Sequence, residues 1–208
     1  DITYGVRRPY GPPLVLNNAL HQIMTQEFDD YRKKKKVHPI MPKEEYEMLP
    51  SSHSNLISWR NPFSGIRYLH KKTNFQLIGA VDDLWFDNKS KKYFVVAYKS
   101  TSKKNSIKLT DINESHWKQL SFYNYLLKKN NLNISEIGFI IYLNAEKNPL
   151  NFNKKLNFEM NLFSKQLDIG WIDEVLENAY NILQSHNHPP PSYNCKYCQY
   201  VNLVNVLK

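Results

Sequence analysis

Two stretches rich in β-branched and aromatic residues, Phe75 to Phe86 and Tyr93 to Thr101, flank the polar turn Asp87-Asn-Lys-Ser-Lys-Lys92. Such runs on either side of a polar turn predict an antiparallel hairpin, and no other feature limits the fold of this chain as much. With the turn centred between Lys89 and Ser90, the register sets Asp82 opposite Ala97, with side chains about 5 Å apart on one face. Lys99 lies two residues beyond Ala97 and therefore points the same way.

The rest of the chain supplies the partners this hairpin needs, and its 208 residues suit a single domain. Residues 1–13 are a Pro- and Gly-rich arm without periodicity. A helix is predicted from between Leu14 and Asn17 to about Lys34, with Asn17 as N-cap and an apolar stripe through Leu16, Leu20, Ile23, Met24 and Tyr31. Glu27 falls in the middle of that stripe, where a carboxylate is costly unless it is paired or bound to metal. His21 lies well off the stripe, at roughly 110° from its centre. Residues 37–54 read as a loop able to cover a site, followed by strands at Asn55 to Trp59 and Ile66 to His70. After the hairpin come a polar loop from Ser100 to Asn113, a helix from Glu114 to Lys129 and a buried strand from Glu136 to Asn144. Leu156 to Phe163 alternates as a half-buried strand, and Gly170 to Gln184 reads as an amphipathic helix. The tail, residues 186–208, holds the only two cysteines, Cys195 and Cys198. Their C-x-x-C spacing is half of a tetrahedral metal site, which His186 and His188 could complete as zinc, or else a pair of reduced thiols that holds no metal.

A net charge of +9 and a pI near 9.3 favour a polyanionic partner. The abundance of Asn, Lys, Ile and Tyr points to an AT-rich genome, which inflates lysine on its own and reduces the weight of that argument. The basic residues nevertheless cluster, notably at Arg32 to Lys36, Lys89 to Lys92 and Lys128-Lys129. Lys103, Lys104 and Lys118 are the candidates for phosphate contact. Lys33 to Lys36 serve equally well as a helix end that complements the dipole. No apolar run reaches the roughly eighteen residues of a membrane span, and nothing resembles a signal peptide. A cytoplasmic location, or an organellar one in a eukaryote, is expected. The start at Asp1 without Met suggests a trimmed or processed fragment.

Three motifs then align along the chain: Gly79-Ala-Val-Asp82, Ala97-Tyr-Lys99 and Gln119-Leu-Ser-Phe-Tyr123. Together they resemble the D...(D/E)xK signature of the PD-(D/E)XK nuclease superfamily. The G-x-x-D form and the Q-x-x-x-Y element are similar to its RecB-like, CRISPR-adaptation-type branch. Gln119 and Tyr123, at i and i+4, share one helix face. The resemblance implies a restriction-endonuclease-like α/β fold, a mixed sheet flanked by helices with an α-β-β-β-α-β core. It implies that Asp82, an acid at 97 and the Tyr98 carbonyl hold Mg²⁺ or Mn²⁺, with Glu27 reaching in from the first helix. Some RecB-like enzymes use a His at the place of His21. Lys99 would orient the attacking water, and Gln119 and Tyr123 would position the scissile strand.

The implied activity is hydrolysis of DNA, single-stranded or at ends, by exonucleolytic action or trimming. In members of that branch, terminal cysteines hold an iron-sulfur cluster, which is a second completion for Cys195 and Cys198. Ala97 departs from the pattern. It marks either a naturally silenced member or an acid removed to trap a substrate complex, and the intact surroundings favour the second. A catalytically dead nucleic-acid-binding module on the same fold is the alternative. A transposon or restriction-type endonuclease should show a base-reading element, and none is visible.

Overall fold

Val95, Val96, Ala97 and Tyr98 are apolar without alternation, and a strand of that kind needs cover on both faces. This strand is β5 (Lys92–Thr101), the middle of a five-stranded sheet in the order β1-β4-β5-β6-β7. The structure is a computed structural model that describes residue 9 and residues 15–147, 154–185, 187 and 189–206. The expected arm, apart from residue 9, and both tail histidines lie outside the described residues. On one side of the sheet Phe94, Val96 and Tyr98 pack with Met24 and Phe28 of α1 (Val15–Lys34). On the other, Val95 and Ala97 pack with Trp117 and Leu120 of α3 (Glu114–Lys129).

β4 (Asp83–Asp87) pairs antiparallel with both β1 (Met48–Pro50) and β5, β6 (Ile137–Ala145) is parallel to β5, and β7 (Phe158–Gln166) closes the edge antiparallel to β6. The parallel pair is connected through α3, which starts on a side-chain cap from Asn113 to the Ser115 amide. Glu114 in its first turn and Lys128 and Lys129 in its last turn complement the helix dipole. At the hairpin turn, Asp87 accepts hydrogen bonds from the Ser90 amide (2.8 Å) and hydroxyl (2.5 Å), which pins the register from the turn end. A separate two-stranded sheet pairs β2 (Ile66–His70) with β3 (Phe75–Gly79). α4 (Trp171–Gln184) and α5 (Lys196–Val206) complete the described elements.

Five expectations change. The stretch Phe75 to Phe86 is two strands in two sheets, broken at residues 80–82 where the chain crosses between them. Asn55 to Trp59 is not a strand but lies at α2 (Leu56–Arg60), because Leu56 and Trp59, at i and i+3, are the pair that reaches the core while Ile57 is exposed. β1 arises inside the expected loop 37–54. On α1 the buried row is rotated from the expected stripe: Leu16 and Ile23 are 58% and 56% exposed, while Phe28 is fully buried. α1 also begins at Val15, so Asn17 lies inside its first turn and is not the N-cap. Among the described residues no helix is long and apolar enough to cross a membrane.

Candidate functional site

The β4–β5 ladder runs from Asp87↔Lys92 to Asp83↔Val96, and one further step sets Asp82 opposite Ala97 as the hairpin reading expects. The ladder ends at Asp83, so the Asp82 carboxylate is released from the sheet. Its Oδ2 accepts the Tyr98 amide at 2.8 Å, and its Oδ1 lies 3.0 Å from Nε2 of His21 on α1. Two residues beyond Ala97, the Lys99 ammonium donates to Gln119 Oε1 at 2.6 Å. Gln119 in turn hydrogen-bonds Tyr123, whose phenol is pushed up to about 12, first by burial and then by the Asp82 charge. Gly79 makes this approach of α3 feasible: a Cβ there would lie 2.8 Å from Leu126 Cδ1 and 3.0 Å from the Tyr123 ring. Asp82, Lys99, Gln119 and Tyr123 are thereby gathered at the end of β5.

The cleft over this end has a volume of about 300 Å³ and is lined by Asn17, His21, Asp82, Lys99, Ser100 and His116, among others. The helix wheel sets His21 off the core face, yet it faces the site. Its hydrogen bond to Asp82 raises the imidazole above the ordinary value, with burial working against it. Inside α1, Asn17 accepts the Ser100 hydroxyl at 3.0 Å. His116 is absent from the sequence-based set of site residues. It sits three residues before Gln119 on α3, its Nδ1 is buried without a hydrogen-bond partner, and burial followed by the Lys99 charge pushes it down, toward the neutral form. Only its spacing to Gln119 and Tyr123 could have pointed to it.

Glu27 does not join the Asp82 carboxylate. Its Oε1 lies 2.9 Å from Nε2 of His38, which is 4% exposed and stacked on Phe28 at 4.4 Å between ring centroids. The buried carboxylate that matters locally is Asp83, which no sequence pattern singles out. It is wholly buried, and it accepts Arg60 at 2.6 Å, Arg32 at 2.5 Å and the Tyr98 hydroxyl at 2.9 Å. Burial pushes its carboxyl up, and the two guanidiniums pull the other way. The burial of Asp83 has no local sequence signal, since its neighbour Asp82 is the same residue type and faces the cleft.

The remaining candidates are dispersed. The Lys103 ammonium lies 3.6 Å from Asp111, Lys104 is exposed, and Lys118 sits 5.9 Å from the Trp171 ring centroid on the flank of α3. The Cys198 amide donates to Cys195 Sγ at 3.4 Å, and that contact draws the Cys195 thiol down. Among the described residues no group of three or more His, Cys, Asp and Glu side chains is placed to hold a metal ion. At Asp82 the donors are one carboxylate and one imidazole, with a methyl group where the second acid is expected. That set falls short of a divalent-cation cage as the chain stands.

A mixed sheet flanked by α1 and α3, with an aspartate, a lysine and a Gln-Tyr pair meeting at one end, defines a restriction-endonuclease-like α/β domain. The family model described as the PD-(D/E)XK nuclease superfamily matches residues 6–203, and the chain belongs to that superfamily. Its members are nucleases, hydrolases that act on nucleic acid. No curated protein matches the chain.

Proposed function

We propose that this chain carries the site of a metal-dependent deoxyribonuclease of the RecB-like kind, trimming DNA at ends or from single strands, and that Ala97 leaves it inactive. The observation that supports this most is the register: Asp82 opposite position 97, with Lys99 next in line on the same strand and bonded to Gln119. With an acid at 97, that acid, Asp82 and the Tyr98 carbonyl would hold Mg²⁺ or Mn²⁺, His21 standing beside them. Such an ion, when bound, supplies charge neutralisation at the phosphate and a lowered pKa for water. Lys99 holds the attacking water in line and stabilises the charge that develops on the phosphate oxygens. Gln119 fixes the Lys99 ammonium, and Tyr123 and Gln119 together present a polar face to the scissile strand. Lys103, Lys104 and Lys118 contribute sequence-independent phosphate contacts.

As it stands, the chain binds DNA without cutting it, which is also how a catalytically dead binding module would behave. Replacing Ala97 with Asp separates the two. The nuclease reading expects Mg²⁺- or Mn²⁺-dependent cleavage of labelled single- and double-stranded DNA by Ala97→Asp, lost again when Lys99→Ala is added. A folded Ala97→Asp protein that cuts nothing would overturn it. Cys195 and Cys198 are the second metal proposal, two thiol ligands of a structural zinc or iron-sulfur site whose other ligands come from outside the described residues. The purified protein should then carry zinc or iron by elemental analysis, and lose it when Cys198 is changed to Ser.

A further inference from the structure

We infer that Arg60 is a positioning residue for Asp82, an assignment that rests on the reading of Asp82 as the metal-binding acid. Residues 80–82 form the joint between the two sheets and belong to neither, so no ladder orients the Asp82 backbone. The end of α2 does so instead. The Trp59 carbonyl accepts the Val81 amide at 3.1 Å, and the Arg60 Nε–H donates to the Asp82 carbonyl at 3.0 Å.

The guanidinium is itself immobilised. Its other two arms donate to Asp29 Oδ1 of α1 at 2.8 Å and to Asp83 Oδ1 of β4 at 2.6 Å, and its side chain is 12% exposed. Arg32 donates to the same two carboxylate oxygens and to the Ser51 carbonyl, so two cations and two anions close a neutral square that is buried except at Asp29, whose side chain is 38% exposed. Tyr98 links the square to the site, because its hydroxyl donates to Asp83 Oδ2 at 2.9 Å while its amide donates to Asp82 Oδ2 at 2.8 Å. A planar fork with donors at fixed angles can hold three acceptors on three elements at once; an ammonium on a flexible stem cannot. Arg32 has no bond to Asp82 among those described, which makes it the buttress of the square and Arg60 its connection to the site.

The test reads Asp82 placement directly. The Tyr98 amide is held by the Asp82 carboxylate and the Val81 amide by Trp59, so their hydrogen exchange, followed by NMR in the metal-free Ala97 chain, reports on the joint. Arg60→Met and Arg60→Lys should speed exchange at these two amides by at least about tenfold relative to core amides of β6 such as Ile140. Arg32→Lys should shift all of them together. Unchanged ratios in the Arg60 variants would overturn the assignment; if Arg60→Met does not fold, Arg60→Lys decides.

In the Ala97→Asp background, Arg60→Lys should weaken Mn²⁺ binding by roughly tenfold or more and lower kcat, with KM for DNA unchanged. Unchanged Mn²⁺ affinity there would also overturn it. The exchange result depends on neither metal nor cleavage and judges Arg60 alone, whereas failure of Ala97→Asp itself to cut DNA counts against the nuclease reading.

Discussion

Placing an acid at position 97 should make the protein less stable without metal and more responsive to it. The Ala97 methyl is 1% exposed, inside the apolar cluster under α3, so a carboxylate there loses most of its hydration, at a cost of several kcal/mol. It also faces Asp82 at about 5 Å, a repulsion of about 3 kcal/mol at an effective dielectric near 20, which attraction to the Lys99 ammonium on the same face of the strand offsets in part. The net penalty is then about 3 kcal/mol, a fall in Tm of roughly 6–12 °C for a chain of this size. A divalent ion between the two carboxylates reverses the repulsion. At a hundredfold excess over Kd it adds about 2.7 kcal/mol, or roughly 5–11 °C. Thermal melts of the Ala97 and Ala97→Asp proteins, each in EDTA and in a Mn²⁺ series, measure both effects. The reasoning is refuted if Ala97→Asp melts no lower in EDTA than the Ala97 chain, or if Mn²⁺ raises both proteins equally.

Four further outcomes follow from particular contacts. Glu27→Gln in the Ala97→Asp background should leave the Mn²⁺-dependent rise in Tm intact and cost at most about 1 kcal/mol in a urea melt, since Glu27 serves His38; abolition of the metal response would return Glu27 to the site. Tyr98→Phe strips a donor from the buried Asp83 and should cost about 1–3 kcal/mol in the same melt, with no loss meaning that the hydroxyl contributes nothing. The Tyr125 hydroxyl, 2.5 Å from Asp173, holds that carboxyl below its ordinary range, so the bond's contribution is full above the unfolded value and fades as pH falls through the folded one. The stability gap between the parent and Tyr125→Phe should accordingly narrow on acidification from about pH 7 to about pH 3, and a gap that widens would contradict it. The Ala97 chain should bind single-stranded, duplex and overhang DNA with log affinity falling linearly in log salt, and anisotropy that is insensitive to salt, or absent for all three, would remove DNA as the partner.

Much of the site depends on neighbours in the chain, and those parts are legible in the amino-acid sequence. The hairpin register follows from a polar turn of fixed length between two β-rich runs, because strand side chains alternate with a period of two and a slip of one residue would reverse every face. Asp82 opposite 97 and Lys99 beside it are consequences of that count, and Gln119 with Tyr123 of helical spacing. Short or symmetric signals are less informative. Five residues from Asn55 to Trp59 suit a strand or a helical turn until burial of Leu56 and Trp59 selects the turn. On α1, apolar Leu16 and Ile23 outweigh His21 on the wheel, although hydrophobic residues are common on surfaces.

What only the tertiary structure decided is the anchoring of Asp83, the aspartate next to the candidate Asp82. Asp82 and Asp83 are chemically identical and one residue apart. Their surroundings differ because Arg32 and Arg60, 51 and 23 residues away in the chain, converge on Asp83 and bury it, while the end of the ladder leaves Asp82 open to the cleft. Turn chemistry and side-chain periodicity act over a few residues and can be counted along a sequence. The pairing of buried charges is settled by desolvation, which exists only once distant segments have closed around them.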